Sequence, residues 1–214
     1  MSDDKRFPEI DRLIGRYPQL LESREQIKDG YLLLESCFSE NGKLLTAGNG
    51  GSAADACHIA GELMKSFRKP RPVPSDFKKK LEATDPATGE ELAATLERGL
   101  PVVPLVSQFA LSTAYANDVS PEGIFAQQVY ALGSPGDVLL AISTSGNSEN
   151  VVRAAVAAKA AGLGVISLTG ESGGRLRSFS DVAVTVPESE TFLVQELHLP
   201  IYHCWCAMLE DRFF

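Results

Sequence analysis

The sequence has few cysteines and no long apolar run. Its cysteines form neither a Cys-x-x-Cys pair nor a dense disulfide framework; they are Cys37, Cys57, Cys204 and Cys206. This pattern is typical of reduced thiols in a cytoplasmic protein, so we expect that location. No apolar run approaches the length that crosses a membrane, and the first residues form no signal region. We therefore expect neither a membrane protein nor a secreted one.

The sequence also has fewer basic than acidic residues, with 20 Lys and Arg against 28 Asp and Glu. The formal net charge is -8 and the pI is about 5.0. A nucleic-acid-binding protein needs a basic surface, so we expect no nucleic-acid partner. Small anions remain compatible with this charge, because a local cluster of backbone N–H groups binds phosphate even on an acidic protein.

What the sequence does contain is an alternation of strand-like and helical segments. With 214 residues, of which 44% are hydrophobic, one domain over residues 1–214 is expected. Strands separated by helices predict an α/β fold with a doubly wound, mostly parallel sheet flanked by helices. An N-terminal helical segment (residues 1–40) and a C-terminal helix from near Val194 complete the predicted architecture.

The helices at the two ends follow from apolar spacing. Residues 18–38 predict one long helix, or two helices broken at Gly30, with an end near Asn41 and Gly42. Both terminal helices carry apolar side chains beyond the apparent need of one sheet, which predicts burial between subunits. The residues concerned are Leu20, Leu34, Ile201, Trp205 and Leu209.

Residues 65–101 differ from the rest of the chain in composition, because they are rich in prolines and charged residues. Residues 69–74 favour an extended path, and residues 75–81 favour a short helix. Thr88 and Glu91 have the spacing of a capping box before a helix over residues 92–100. We interpret the stretch as a polar insertion on the surface; a lid over a ligand is the alternative.

Two glycine- and hydroxyl-rich loops each follow an apolar strand and open into an alanine-rich helix. They are Gly48-Asn49-Gly50-Gly51-Ser52 and Ser143-Thr144-Ser145-Gly146-Asn147-Ser148. Such a loop offers backbone N–H groups, hydroxyls and the positive end of a helix dipole to an anion. Two of them in one chain predict a small phosphorylated ligand at the carboxyl edge of the sheet.

A nucleotide is a weaker interpretation of the first loop. Gly48, Gly50 and Ala53 loosely match the dinucleotide fingerprint. That fingerprint requires an acidic residue about twenty positions later, after a second strand, to bind the ribose. Arg68 and Lys69 occupy that region and no second strand precedes them. We therefore expect no nucleotide cofactor.

All the histidines fall in two segments that also carry acidic residues. His58 and Glu62 are one helical turn apart and can serve as metal ligands or as a proton base. The alternative interpretation is that His58 and Glu62 form an ordinary pair on a solvent-exposed helix surface. Gln195 and His203 lie about 12 Å apart along an ideal helix. They can share one metal if the side chains converge, if the helix bends at Pro200, or if they serve different subunits.

The ordered set of motifs resembles the phosphoheptose isomerases, which are sugar isomerase (SIS) domain enzymes. The resemblance covers the chain from about Leu44 to the C-terminus, apart from residues 65–101. It rests on the two loops and on the residues Asp55, His58, Glu62, Asn117, Asp118, Gln195, Glu196, His198 and His203, together with the run Ser167-Leu168-Thr169-Gly170.

The resemblance implies an aldose–ketose isomerase acting on sedoheptulose 7-phosphate and D-glycero-D-manno-heptose 7-phosphate. It implies a homotetramer, often with zinc. Glu62 and His203 resemble the acid/base pair of the family, and His58, Glu62, Gln195 and His203 resemble its metal ligands. The residues that match phosphosugar-binding positions are Asn49, Gly50, Gly51, Ser52, Glu62, Asn117, Asp118, Ser143, Thr144, Ser145, Ser148 and Gln195.

The chain also departs from the family pattern. The family commonly has an acidic and a basic residue just before the Gln-Glu pair, where this chain has Thr191-Phe192-Leu193-Val194, and Gly61 stands where it often has a second glutamate. These departures bear on the identity of the sugar. The rival function is a non-enzymatic SIS protein, either a sugar-phosphate-sensing regulator or a binding protein like the DnaA initiator-associating factor. The presence of both Glu62 and His203 favours the enzyme.

Overall fold

The computed structural model describes residues 7–214 of the chain. Within that range, five strands form one parallel sheet in the order β2-β1-β3-β4-β5. The strands are β1 (Leu44–Ala47), β2 (Val102–Pro104), β3 (Val138–Ile142), β4 (Gly164–Thr169) and β5 (Val182–Thr185). The predicted doubly wound α/β fold is confirmed.

The α-helices lie on both faces of this sheet. They are α1 (Pro8–Arg16), α2 (Arg24–Ser39), α3 (Gly51–Met64), α4 (Ser75–Thr84), α5 (Pro86–Thr95), α6 (Phe109–Asp118), α7 (Ile124–Leu132), α8 (Glu149–Ala160) and α9 (Thr191–Phe213). Helices α1, α2, α3 and α9 bury their apolar side chains against one face, and α7 and α8 cover the other. The inner strands β1, β3 and β4 are buried on both faces, as in other parallel sheets, whereas the edge strands β2 and β5 are partly exposed.

Of the two alternatives for residues 18–38, the break at Gly30 is wrong. A 3₁₀ turn (Pro18–Ser23) precedes α2, and α2 runs through Gly30 without interruption. The glycine is there because Trp205 of α9 packs against it: a Cβ at Gly30 would lie 2.7 Å from the indole ring. The same indole donates a hydrogen bond to the carbonyl of Ile27 at 2.8 Å. Helix packing, and not a helix end, explains this glycine.

Two predictions about the terminal helices also need correction. Helix α1 was not predicted as a separate helix, and residues 1–6 of the predicted segment 1–40 lie outside the described residues. The apolar side chains assigned to a subunit interface are buried inside their own chain, each at 5% exposure or less. They are Leu20, Leu34, Ile201, Trp205 and Leu209. The apolar surplus inferred from the sequence does not exist at these positions.

Residues 65–101 contain a helical hairpin made of α4 and α5. The two helices contact each other extensively, and Pro72 pairs with Glu97 in an antiparallel bridge at the base of the hairpin. The predicted capping box is wrong, because Asp85 caps α5: its carboxylate accepts a hydrogen bond from the Thr88 N–H at 2.8 Å, and Pro86 follows at the first helical position. Helix α5 therefore starts and ends several residues earlier than predicted.

Candidate active site

The two glycine-rich loops lie side by side in the fold. They follow β1 and β3, which are adjacent parallel strands, so both loops stand at the carboxyl edge of the sheet. A pair of amide hydrogen bonds joins them: Asn49 of the first loop and Asn150 at the start of α8 exchange side-chain contacts at 2.8 and 2.9 Å. Helices α3 and α8 both begin at this edge, with their N-termini available to an anion.

Glycine geometry fixes the shape of each loop. Gly50 has a φ of 55° at the start of α3, a left-handed conformation that glycine adopts without strain. Gly146 has a φ of 66°, and a Cβ there would lie 2.1 Å from the carbonyl oxygen of Gly173. Only glycine fits at that contact, which holds the second loop against residues 173–174.

The hydroxyl groups of the second loop are partly engaged with one another. The Ser143 and Ser148 oxygens are 3.0 Å apart, and the Ser145 hydroxyl accepts a hydrogen bond from the Asn147 N–H at 3.1 Å. In the first loop Ser52 is buried, whereas Asn49, Gly50 and Gly51 are exposed. The Gln195 amide lies against Gly51: a Cβ at this glycine would meet its Nε2 at 2.6 Å. The start of α9 thus meets the first anion loop.

Asn117 and Asp118 are the last residues of α6 and are both exposed. The Asn117 amide donates to the Asp118 carboxylate at 2.8 Å. Within residues 7–214, no hydrogen bond joins either side chain to the two loops. Their assignment to the ligand site stays a prediction.

Helices α3 and α9 bring the predicted acid/base and metal residues together within one chain. The His58 Nε2 is 3.2 Å from the Glu62 Oε1, and the rings of His58 and His203 are 5.0 Å apart, edge to face. Gln195 lies at the first loop, and His203 lies two turns further along α9, beside His58, so a shared metal for Gln195 and His203 stays a prediction. A neighbouring subunit is not needed to bring His203 to this group.

His203 has an unusual environment. Its Nε2 is buried and has no hydrogen-bond partner among the described residues. Burial lowers the pKa of His203 below its ordinary value, and the nearby His58 adds to this effect while Glu62 opposes it. The ring also forms part of the wall of a cavity of about 300 Å³ between α1 and α9, together with Phe67 and Arg68. His203 is therefore held mainly as a neutral imidazole with access to both acid and base roles.

The remaining histidine belongs to the core. His198 is fully buried, and neither ring nitrogen has a hydrogen-bond partner within the described part of the chain. Burial lowers its pKa to about 4, so the ring is neutral at physiological pH. An apolar helix of this kind predicts a buried histidine with hydrogen-bonded ring nitrogens; the burial of His198 is found, whereas no hydrogen-bond partner of its ring is found among the described residues.

The residues that hold this site in place were missed by sequence reasoning. Arg71 and Glu210 form an ion pair at 2.8 Å in which both side chains are 0% exposed. The Arg71 guanidinium also donates to the Leu63 carbonyl at 2.9 Å and to the Glu62 carbonyl at 3.2 Å, the last turn of α3. It therefore supplies donors to the helix end that carries Glu62.

Glu210 holds the adjoining segment. Its carboxylate accepts the backbone N–H groups of Phe67 at 2.9 Å and Arg68 at 2.8 Å. Burial opposes ionisation of Glu210, but those hydrogen bonds and the Arg71 charge outweigh it and lower the pKa of the carboxyl. The Phe67 ring then packs against His203 with centroids 5.5 Å apart. Glu210 lies two turns after His203 and directly before Asp211 and Arg212, so no signal in the sequence sets it apart from an exposed charge at the helix end.

The donor types at this site suit a zinc ion. The His58 Nε2 and the Glu62 Oε1 lie together, and the buried Nε2 of His203 lacks a partner, as expected for an atom that binds a cation. Among the described residues, however, no group of three or more His, Cys, Asp or Glu side chains is arranged to hold a metal ion. The residue types fit zinc, whereas their present arrangement is not a complete coordination shell.

Comparison with known proteins first assigns the class of protein to which this fold belongs. The SIS domain family model matches residues 88–170. Over 216 aligned positions, the chain is 39% identical to the phosphoheptose isomerase of Thiobacillus denitrificans, with 96% of each chain covered. The solved phosphoheptose isomerase of Francisella tularensis is 30% identical with a TM-score of 0.73, covering 99% of this chain and 100% of that one.

The corresponding structure from Neisseria gonorrhoeae is 32% identical with a TM-score of 0.71, covering 97% of this chain and 96% of that one. These similarities extend over nearly the whole chain, including the segments that carry the two loops, α3 and α9. The chain belongs to the phosphoheptose isomerase family. It is therefore an SIS-domain isomerase of phosphorylated sugars, and the fold and family expected from the sequence are confirmed.

The described residues contain no helix that is both long enough and apolar enough to cross a membrane.

Proposed function

We propose that this protein interconverts sedoheptulose 7-phosphate and D-glycero-D-manno-heptose 7-phosphate through an enediol. The observation that carries the proposal is the meeting of Glu62, His58 and His203 on α3 and α9, the helices that also border the first anion loop. An aldose–ketose shift needs one group to move a proton between adjacent carbons and another to move a proton between their oxygens. This site offers a carboxylate and a neutral imidazole.

Glu62 suits the carbon-bound proton. As a carboxylate it removes the proton from the carbon beside the carbonyl and returns it to the neighbouring carbon. Its other carboxylate oxygen lies 3.3 Å from the Lys65 Nζ, in a pair that is exposed on the lysine side.

His203 suits the oxygen-bound proton. A neutral imidazole carries one N–H donor and one acceptor nitrogen, so it can give a proton to one oxygen of the enediol and take one from the other. Its lowered pKa keeps that neutral form available. The Phe67 ring packs beside it, with centroids 5.5 Å apart, and helps to hold the imidazole in place.

The phosphate of the substrate is assigned to the two loops. Their backbone N–H groups, the N-termini of α3 and α8, and the hydroxyls of the second loop offer donors without requiring a cationic side chain. The residues proposed for the phosphosugar are Asn49, Gly50, Gly51, Ser52, Glu62, Asn117, Asp118, Ser143, Thr144, Ser145, Ser148 and Gln195.

Zinc is the proposed metal, and His58, Glu62, Gln195 and His203 are its proposed ligands. When bound, zinc acts as a Lewis acid that polarises the substrate carbonyl. Elemental analysis of protein purified without chelator and without a histidine tag tests this. Stoichiometric zinc supports the assignment, whereas metal-free protein with full activity in chelator contradicts it.

A cytoplasmic homotetramer is proposed from the family resemblance. The support from this chain is the exposure of large apolar side chains on and beside α6: Phe109 is 77% exposed and Val119 is 66% exposed, and α6 buries no residue of its own. Light scattering at assay concentration tests the assembly. A stable and fully active monomer contradicts it.

The proposed reaction is tested by incubating the protein with C5 to C7 ketose phosphates and following aldose formation by NMR. We expect turnover of sedoheptulose 7-phosphate. Glu62→Gln and His203→Ala should each lower kcat by about 10²–10⁴-fold, the usual contribution of an acid/base group. Glu90→Gln, on the exposed face of α5, is the matched control and should retain full activity.

Three outcomes of that screen contradict the proposal. Near wild-type turnover in both site variants contradicts the acid/base assignment. Turnover of a different ketose phosphate alone contradicts the choice of substrate. Tight binding of sugar phosphates without any turnover indicates the non-enzymatic SIS protein instead.

A further inference from the structure

The hydroxyl of Tyr202 connects two side chains of α3 across the interface with α9. It donates a hydrogen bond to the Asp55 Oδ1 at 3.1 Å and lies 3.0 Å from the His58 Nδ1. Tyr202 itself is 1% exposed, and its ring packs edge to face against both His58 and His203. The hydroxyl is thus fixed in position between a carboxylate and an imidazole.

The number of hydrogens at this junction determines the direction of the hydrogen bonds. A tyrosine hydroxyl has one hydrogen, and an ionised carboxylate only accepts. With Asp55 ionised, the hydrogen of Tyr202 belongs to Asp55, and the contact with His58 is then a donation from Nδ1–H to the Tyr202 oxygen. The second carboxylate oxygen of Asp55 is buried without a partner, so Tyr202 is important to the solvation of this carboxylate.

Tyr202 stays protonated in this position. Burial raises the pKa of Tyr202 far above its ordinary value, and the charge of Asp55 and their hydrogen bond raise it further. Burial also raises the pKa of Asp55, while the hydrogen bond from Tyr202 and the proximity of His58 oppose that shift. The opposite hydrogen-bond direction requires a protonated Asp55, which the experiment below distinguishes.

A neutral imidazole that carries its hydrogen on Nδ1 has a lone pair on Nε2. In His58 that atom lies 3.2 Å from the Glu62 Oε1, which is also an acceptor. Two acceptors at this distance repel each other unless a proton or a metal cation lies between them. The space between the His58 Nε2 and the Glu62 Oε1 therefore favours binding of a proton or a metal cation.

We propose that Asp55 and Tyr202 are positioning residues that hold His58 as the Nδ1–H tautomer and present its Nε2 lone pair to the Glu62 carboxylate. The use of this lone pair, for a proton or for a metal, rests on the proposed function. The tautomer does not, because it follows from the hydrogen bonds of Tyr202 with an ionised Asp55 and with His58. Partners that fix a ligand histidine in this way are a general feature of metal sites.

The tautomer can be read directly by NMR. The chain has three histidines, so a ¹⁵N-labelled sample gives a small set of imidazole signals in two-bond ¹H–¹⁵N correlation spectra. The protein is treated with chelator and measured at a pH where the imidazoles are neutral. His58→Gln assigns the His58 signals by their disappearance. We expect a protonated Nδ1 and an unprotonated Nε2; the opposite pattern overturns the proposal.

Two variants test the part played by each partner. In Asp55→Ala the hydroxyl hydrogen is released from Asp55 and turns towards His58, so the Nε2–H tautomer should become dominant. In Tyr202→Phe the ring packing remains but the bridge is lost, so His58 should show a mixture of tautomers. Tyr130→Phe, at a side chain 79% exposed, is the matched control and should leave the spectrum unchanged. A wild-type His58 pattern in both site variants overturns the proposal.

A kinetic measurement separates positioning from simple stability. Tyr202→Phe should lower kcat/KM for sedoheptulose 7-phosphate by about 10–100-fold, the usual effect of losing such a partner, while circular dichroism stays native. Unchanged kcat/KM with an altered tautomer overturns the functional role of the bridge. A wild-type enzyme that turns over no ketose phosphate contradicts the proposed function, but the tautomer measurement still decides the positioning claim.

Discussion

Replacing Arg71 by methionine should test how the interior ion pair supports the site. Methionine keeps an unbranched side chain of similar length but removes the guanidinium. Three hydrogen bonds are lost: to the Glu210 carboxylate at 2.8 Å, to the Leu63 carbonyl at 2.9 Å and to the Glu62 carbonyl at 3.2 Å. Glu210, at 0% exposure, then loses the cation at 2.8 Å and keeps the Arg68 guanidinium at 3.8 Å.

The expected loss in the free energy of unfolding is about 3–5 kcal/mol, the range for removing one partner of a buried pair. This is a large share of the ~5–15 kcal/mol that stabilises a typical domain. Urea unfolding at matched protein concentration measures it. Arg153→Met is the control, because Arg153 pairs with Glu149 on an exposed helix surface and such pairs contribute about 0–1 kcal/mol.

The pH dependence gives this prediction a second test. Glu210 has a lowered pKa in the folded protein, so its contribution to stability is present above the unfolded pKa and is lost as pH falls through the folded pKa. In Arg71→Met the carboxyl loses its cation and protonates more readily. The difference in stability between wild type and Arg71→Met should therefore shrink as the solution is acidified.

Arg71→Met should also lower the activity of the candidate site. Arg71 holds the last turn of α3, and Glu210 holds the segment that places Phe67 against His203. We expect kcat/KM to fall under conditions where Arg71→Met is still folded. A loss in stability below about 1 kcal/mol, equal to that of an exposed pair, would refute the reasoning.

Three further predictions concern α3, His203 and the hairpin. Gly51→Ala should lower kcat/KM by up to about 100-fold, because the added Cβ would lie 2.6 Å from the Gln195 Nε2 and would displace this amide. Gly61→Ala has open space around the added Cβ, so it should instead stabilise the protein by about 0.5–1 kcal/mol and keep full activity. The acid limb of kcat/KM should fall below pH 6.5, because burial lowers the pKa of His203 and only its neutral form shuttles protons. Replacing residues 74–95 with an Asn-Gly turn should preserve folding and KM, because the base of the hairpin is already paired.

Each of these has a contrary result. Equal activity of the two glycine variants contradicts the role of the Gln195 contact, and an acid limb at or above the ordinary histidine pKa contradicts the neutral imidazole. A raised KM without the hairpin supports the lid interpretation over the surface insertion.

The sequence was sufficient for the sheet and for the positions of the two loops. Apolar runs such as Val138–Ile142 are buried on both faces, and this leaves a continuous signal that is easy to read. Gly30 shows where such reasoning fails, because local propensity predicts a helix break there and packing against Trp205 overrides it. The cap of α5 was misplaced by three residues because Asp85 and Pro86 compete with Thr88 for that position.

The sequence predicted residues of the candidate site, but it did not predict the residues that hold them in position. His58 and Glu62 follow from helical spacing, and the sequence alone cannot show that His203 reaches them. Tyr202 was overlooked because an aromatic residue in an apolar helix looks like core. Arg71 was overlooked because it lies among prolines in a segment interpreted as solvated. Their partners are more than 100 residues away, and no local pattern records such a contact.

The long separation between α3 and α9 has a consequence for synthesis of the chain. Arg71 and Glu210 are 139 residues apart. At ~5–20 residues per second, a ribosome needs about 7–28 s to make that stretch, so α3 emerges well before the helix that completes it. During this interval the sheet face that α9 covers has no partner from its own chain, and Arg71 has no counter-ion. Newly made α3 therefore exposes apolar surface that can aggregate, and the candidate active site forms only after α9 has left the ribosome.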